Sequence, residues 1–120
     1  SIPYGFFERC TFQNMPNECC TFGSGYLKSC IGKNLWGSFW HASAANDLEL
    51  FGVKISDCKT TNTNTKNNGH DEGVITFSNR SIDILIEDCV FDNSAGARGT
   101  GVFGNMDTNS LIADNNFTAS

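Results

Sequence analysis

Apolar and polar residues alternate with a period of two on either side of a recurring short corner. Three residues before the corner stand Phe7, Leu27, Ile55, Ile86 and Ile112, all large and apolar. Two before it stand Glu8, Lys28, Ser56, Glu87 and Ala113, and three after it Gln13, Lys33, Thr61, Asp92 and Thr118, mostly or wholly polar. Such alternation predicts strands with one buried face. The phrase around the corner also repeats. "GFFERCTFQNM", "GYLKSCIGKNL", "VKISDCKTTNT" and "LIEDCVFDNSA" each place a cysteine at the corner and an asparagine four residues later. A weaker fifth copy, "SLIADNNFTAS", has Asn115 at the cysteine position and Ala119 at the asparagine position, which breaks both columns. A further strand signal follows the asparagine and a loop, in "GSFWHAS", "GVITFSN" and "GVFGNMD", with "ECCTFGS" a poorer match. No segment carries a long 3.6-residue apolar stripe, so almost no helix is expected.

From Cys10 to Asn115 the corners step by 20, 28, 31 and 26 residues. A period of this size marks stacked supersecondary units, none able to bury its apolar face alone. Parallel strands recurring in columns predict an all-β parallel β-helix, a single domain over 1–120 with about four to five short coils. Neighbouring coils then lie about 4.8 Å apart. In that packing Cys10, Cys30, Cys58 and Cys89 form one inward ladder. Asn14, Asn34, Asn62 and Asn93 form another, expected to be buried and bonded amide to amide. Stacked Cα atoms at about 4.8 Å fall inside the disulfide range of roughly 4.4–6.8 Å. Direct stacking does not set the required dihedral, so a mostly reduced ladder of small buried groups is favoured. Cys19 and Cys20 lie off the ladder, and one of them could pair with a neighbouring turn or chain.

The string of alternation, Cys, Phe, Asn, loop and "GTGVFGN" resembles the right-handed β-helix repeats of the pectate-lyase-like superfamily. "CVFDNSAGARGTGVFGN" is most similar to repeats of bacterial surface proteins such as the chlamydial polymorphic membrane proteins, which carry Phe-x-x-Asn and Gly-Gly-Ala-Ile motifs. This chain has Phe91-Asp92-Asn93, one residue shorter, and Gly101-Val102-Phe103 in place of Gly-Ala-Ile. The resemblance implies a right-handed coil. It also raises cleavage of acidic polysaccharides, which needs clustered carboxylates, often Ca²⁺, and outward Arg or Lys.

Candidate chemistry adds little to that second implication. His70, Asp71 and Glu72 are three titratable groups in a row, from which a general acid and base could be built. Asn67, Asn68, Gly69 and Gly73 around them are turn chemistry, which makes the segment a solvated loop tip. Asp57, Asp88 and Asp114 precede the corners and could bind Ca²⁺ as a column, yet corner aspartates commonly accept from local backbone amides. His41 and His70 lack paired ligand spacing, so neither a metal nor another cofactor is expected. The run "TTNTNTK" has the Thr-x-Thr form of ice-binding faces, but no other coil repeats it. Trp36, Phe39 and Trp40 could form an aromatic sugar platform. Alternation turns Phe39 inward and Trp36 with it, so core or interface packing is favoured.

Net charge is −5 with few and scattered cations, which argues against nucleic acid. No 18-residue apolar run spans a membrane. Low charge with abundant Asn, Ser, Thr and Gly suits an extracellular or surface protein, and Ser1 without a methionine suggests processing or excision from a longer chain. Asn79-Arg80-Ser81 and Asn116-Phe117-Thr118 are glycosylation sequons, Asn79 expected at an exposed corner after a strand. Four to five coils leave two open ends without amphipathic caps. Ile2, Tyr4, Phe6 and Phe7 are the candidate assembly residues at one end, and Leu111, Ile112 and Phe117 at the other. The function expected is a non-enzymatic building block, stacking on copies of itself or on flanking coils of a larger protein. The alternative is a carbohydrate-binding or carbohydrate-processing segment.

Overall fold

The computed structural model describes residues 4–17, 19, 24–42, 50–65, 73–95, 101–106 and 110–119. Twelve strands and no helix occur among them. In chain order they are β1 (Tyr4–Glu8), β2 (Thr11–Met15), β3 (Ser24–Lys28), β4 (Ile31–Leu35), β5 (Trp40–Ala42) and β6 (Leu50–Ser56). Then come β7 (Lys59–Asn64), β8 (Ile75–Glu87), β9 (Val90–Ala95), β10 (Val102–Met106), β11 (Leu111–Ala113) and β12 (Asn116–Ala119).

Every pairing among these strands is parallel, and they form three stacks. One runs β1-β3-β6-β8, with β11 on the far flank of residues 85–87 of β8. A second runs β2-β4-β7-β9-β12. The third pairs β5 and β10 with the opposite half of β8, through Trp40↔Ile75 and Val102↔Ile75. Residues of one sequence column face each other in register, as in Phe7↔Leu27, Leu27↔Ile55, Ile55↔Ile86 and Ile112↔Ile86. The bonding continues through the corners. Ile31 donates to the Cys10 carbonyl at 2.9 Å, Lys59 to Cys30 at 3.0 Å, Val90 to Cys58 at 3.0 Å and Asn116 to Cys89 at 2.9 Å.

The corner itself is one left-handed residue. Arg9, Ser29, Asp57, Asp88 and Asp114 all have φ between 51° and 56°. That region costs an ordinary L-residue about 1–2 kcal/mol and is most accessible to Asn, Asp and Gly, which is why aspartate holds three of the five corners. A second left-handed residue breaks the second stack of each repeat: Asn14, Asn34, Asn62 and Asn93, at φ 55–61°. It behaves as a bulge, an added residue that resets the in–out alternation.

The core runs along the stack axis. Leu27, Ile55, Ile86, Cys30, Cys58, Cys89, Phe39, Trp40, Phe77 and Phe91 are all fully buried. Each of the large side chains contributes roughly 1.5–3 kcal/mol. Gly32 interrupts the column Phe12–Gly32–Thr60–Phe91 for a packing reason. A Cβ there would meet Leu35 Cδ1 at 2.9 Å and the Phe39 ring at 3.0 Å. Phe39 fills the space and packs edge-on against Phe12, ring centres 6.2 Å apart. Gly25, opposite Gly5, has φ 126°, and its Cβ would lie 1.7 Å from the Gly5 carbonyl oxygen.

Four expectations change. The strand through "GVITFSN" does not end at Asn79 but runs on to Glu87, with one left-handed residue inside it, Asp83 at φ 55°. The asparagine column is exposed rather than buried. Trp36 points outward and is 58 % exposed, because the bulge at Asn34 turns Leu35 in and the next residue out. Ala119 pairs with Ser94, not Asn93, because β12 has no left-handed residue and runs one position short.

Candidate functional site

Three features place side chains in ordered arrays: the cysteine column, the asparagine column with the cavity beside it, and the open edges of the stacks.

Cysteine follows the left-handed corner residue, so its side chain points back under the strand just completed. The thiols of Cys30, Cys58 and Cys89 each donate to two carbonyls, one two residues back and one on the preceding rung, and that of Cys10 to Glu8 at 3.5 Å. Cys58 Sγ lies 3.2 Å from the Ser56 oxygen and 3.6 Å from that of Leu27, and Cys89 Sγ lies 3.2 Å from Glu87 and 3.7 Å from Ile55. Cys30 repeats this with Lys28 and Phe7. Cys10, Cys19, Cys30, Cys58 and Cys89 are all free thiols. Hydrogen bonding between Cys58 and Cys89, with burial, pushes the Cys58 thiol far above its ordinary pKa and lowers that of Cys89, while burial raises that of Cys30. All three thiols are buried and pack as small groups of the core.

Asn115 does not break this column. Its Oδ1 accepts from the Cys89 N–H at 2.9 Å, as Cys89 Sγ accepts from the Cys58 N–H at 3.5 Å. Its Nδ2 donates to the Ile86 carbonyl at 2.9 Å, the place the thiol takes on the lower rungs. An amide does the work of a thiol with shorter bonds.

In the asparagine column, Asn34 Nδ2 donates to Asn14 Oδ1 at 3.2 Å and Asn62 Nδ2 to Asn34 Oδ1 at 3.1 Å, while Asn93 Nδ2 donates to Asn62 Oδ1. On the last rung Thr118 takes this place. Its hydroxyl accepts from the Asn93 N–H at 3.0 Å and donates to Asp92. Beside the column lies a cavity of about 270 Å³ lined by Asn34, Leu35, Trp36, Asn62, Thr63, Asn64 and Asn93. Leu35 and Thr63 are buried at its floor, and the asparagines and Trp36 stand exposed around it. Phe39 and Trp40 are fully buried in the core, so no three-ring platform forms.

At the edges of the stacks, among the described residues, β1 and β2 pair on one flank, with β3 and β4, and β11 and β12 likewise with β8 and β9. Leu111 and Ile112 are 54 % and 40 % exposed. Phe117 is half-buried and stacks on Phe91, ring centres 5.0 Å apart. At the other edge Phe7, Phe12 and Met15 are half-buried, while Phe6 faces outward against the Tyr26 ring. Tyr4 lies on β1, and Ile2 is outside the described residues.

The other candidates stay apart. His70, Asp71 and Glu72 lie outside the described residues. Asp57, Asp88 and Asp114 are exposed corner residues, and Asp57 accepts from the Ser29 hydroxyl at 2.7 Å. Among the described residues no group of three or more His, Cys, Asp or Glu is placed to hold a metal ion. Thr60, Thr63 and Thr65 are buried, so "TTNTNTK" presents no threonine face. Asn116 is exposed on β12, and Asn79 lies within β8. The cavity was not legible in advance, although the left-handed propensity of Asn34 was the signal that reverses the parity at Trp36. Compared with protein-family models, with curated proteins and with solved structures, the chain matches none.

Proposed function

We propose that this chain is a non-enzymatic building block of an extracellular or surface structure, a right-handed parallel β-helix that extends by adding strands at its open edges. The observation that carries this is the pair of terminal rungs, β1–β2 and β11–β12, each paired with a neighbouring strand on one flank among the described residues and bearing partly covered apolar side chains. Open parallel edges recruit further strands. Head-to-tail stacking of a second copy sets Ile112 against Phe7 and Phe117 against Phe12, the same column partners that meet inside the chain. Such contacts do not close on themselves, so they propagate as a filament. Flanking coils of a longer chain would satisfy the same edges by the same chemistry.

Negative-stain microscopy and sedimentation velocity across a concentration series test the reading. Filaments or length-distributed oligomers are expected. Ile112→Lys, at an exposed edge position, is expected to leave the circular dichroism of a β-protein intact and to abolish assembly. A chain that stays monomeric at every concentration, or an Ile112→Lys variant that assembles as well as the parent, sinks the proposal.

A further inference from the structure

We propose that the cavity beside Trp36 binds a neutral saccharide. Its wall combines two kinds of surface. The Trp36 indole, 58 % exposed, offers an apolar face at the mouth. Asn34, Asn62 and Asn93 present amides rising one rung at a time along one side. Each amide carries two N–H donors and two acceptor lone pairs, and the column uses at most one of each. The remaining donor and acceptor of Asn34 and Asn62 are held in fixed orientation by their neighbours and polarised by the chain of bonds. A sugar ring has the matching halves: an apolar C–H face for the indole and hydroxyls that donate and accept at once.

Thr63 pairs with the inward Leu35, so its side chain turns to the core and the cavity presents the exposed amides and the indole. An apolar ligand filling the cavity would desolvate the amides of Asn34 and Asn62 without pairing them, at a cost of about 1–3 kcal/mol for each group. A polyol satisfies them. None of the seven lining residues is ionisable, so a uronate or phosphate would lose its hydration without gaining a cation. That excludes the acidic polymers that the family resemblance implies. A cavity of about 270 Å³ sits just below the roughly 300 Å³ at which pockets for drug-sized ligands begin, which sets the ligand at one or two rings.

The test is isothermal titration and saturation-transfer NMR on the purified chain. The probes are glucose, galactose, mannose, xylose, N-acetylglucosamine and their β-linked disaccharides, with galacturonate as the charged control. Saturable millimolar binding is expected for at least one neutral sugar and none for galacturonate. Trp36→Ala is expected to weaken it at least about tenfold with an unchanged circular dichroism spectrum. No saturable response from any neutral sugar, equal binding of galacturonate, or unchanged affinity in Trp36→Ala overturns the proposal. Monomer and filament serve equally, so failure here leaves the assembly reading untouched, and the reverse.

Discussion

The asparagine column makes a separable prediction at Asn62. Its backbone sits at φ 61°, it donates to Asn34 at 3.1 Å, and it accepts from Asn93. Asn62→Gly keeps the left-handed backbone available and removes two exposed amide–amide bonds, about 1–2 kcal/mol at roughly 0.5–1 each. Glycine's freer unfolded chain adds about 0.4–1 kcal/mol. Asn62→Ala removes the same two bonds and adds left-handed strain of about 1–2 kcal/mol. The expected stability order is therefore Asn, then Gly, then Ala, with total losses of about 1.5–3 and 2–4 kcal/mol. A double-mutant cycle with Asn34→Gly cancels the glycine entropy and is expected to leave a coupling of about 0.5–1 kcal/mol. The assay is urea unfolding followed by circular dichroism at one low protein concentration, read at constant m-value. Alanine as stable as glycine refutes the backbone assignment. A coupling indistinguishable from zero refutes the amide ladder.

Three further outcomes follow from buried groups. Thr60 is fully buried with an unpartnered hydroxyl, so Thr60→Val is expected to raise stability by about 1–2 kcal/mol; a loss of similar size in urea unfolding would show that the hydroxyl is bonded. Asn115→Ala leaves the Cys89 N–H and the Ile86 carbonyl without their partner and is expected to cost about 2–4 kcal/mol, whereas Asn115→Cys restores the thiol form of the column and is expected to cost less than half as much. Burial raises the Cys30 thiol pKa, so its share of stability is complete below the ordinary thiol range of about 8.5 and is lost as pH climbs through the raised value. The stability difference between the parent and Cys30→Ala is expected to hold from pH 6 to 8 and to shrink, at up to about 1.4 kcal/mol per pH unit, on the way to pH 10.5. A difference that grows over that window contradicts the assignment.

The columns were legible because stacking in register forces like onto like. Phe7, Leu27, Ile55, Ile86 and Ile112 could be aligned by eye and meet in space. What escaped were the places where the backbone leaves strand geometry. A period-two count assumes that every residue flips the side chain, and the left-handed asparagine does not. That single exception turned Trp36 from an inward ring to an exposed one, and its absence in β12 moved Ala119 by one column. Asn115 escaped for a chemical reason: an amide and a thiol look unlike in sequence, yet both present one acceptor and one donor to the same two backbone groups. The cavity needed side-chain placement that no spacing encodes.

The three steps of the asparagine column share one sense, each amide nitrogen reaching toward the lower-numbered rung. The thiols of Cys30, Cys58 and Cys89 point their donors the same way. The stack is therefore vectorial, with small dipoles adding along its axis instead of cancelling. Its two faces differ as the poles of a magnet differ: spare amide hydrogens at the Asn14 side, and at the other a hydroxyl, that of Thr118, where the amide row stops. Two Asn14 faces brought together set donor against donor. Any lattice grown from this unit would inherit an arrow, with a leading and a trailing tip that add subunits at different rates.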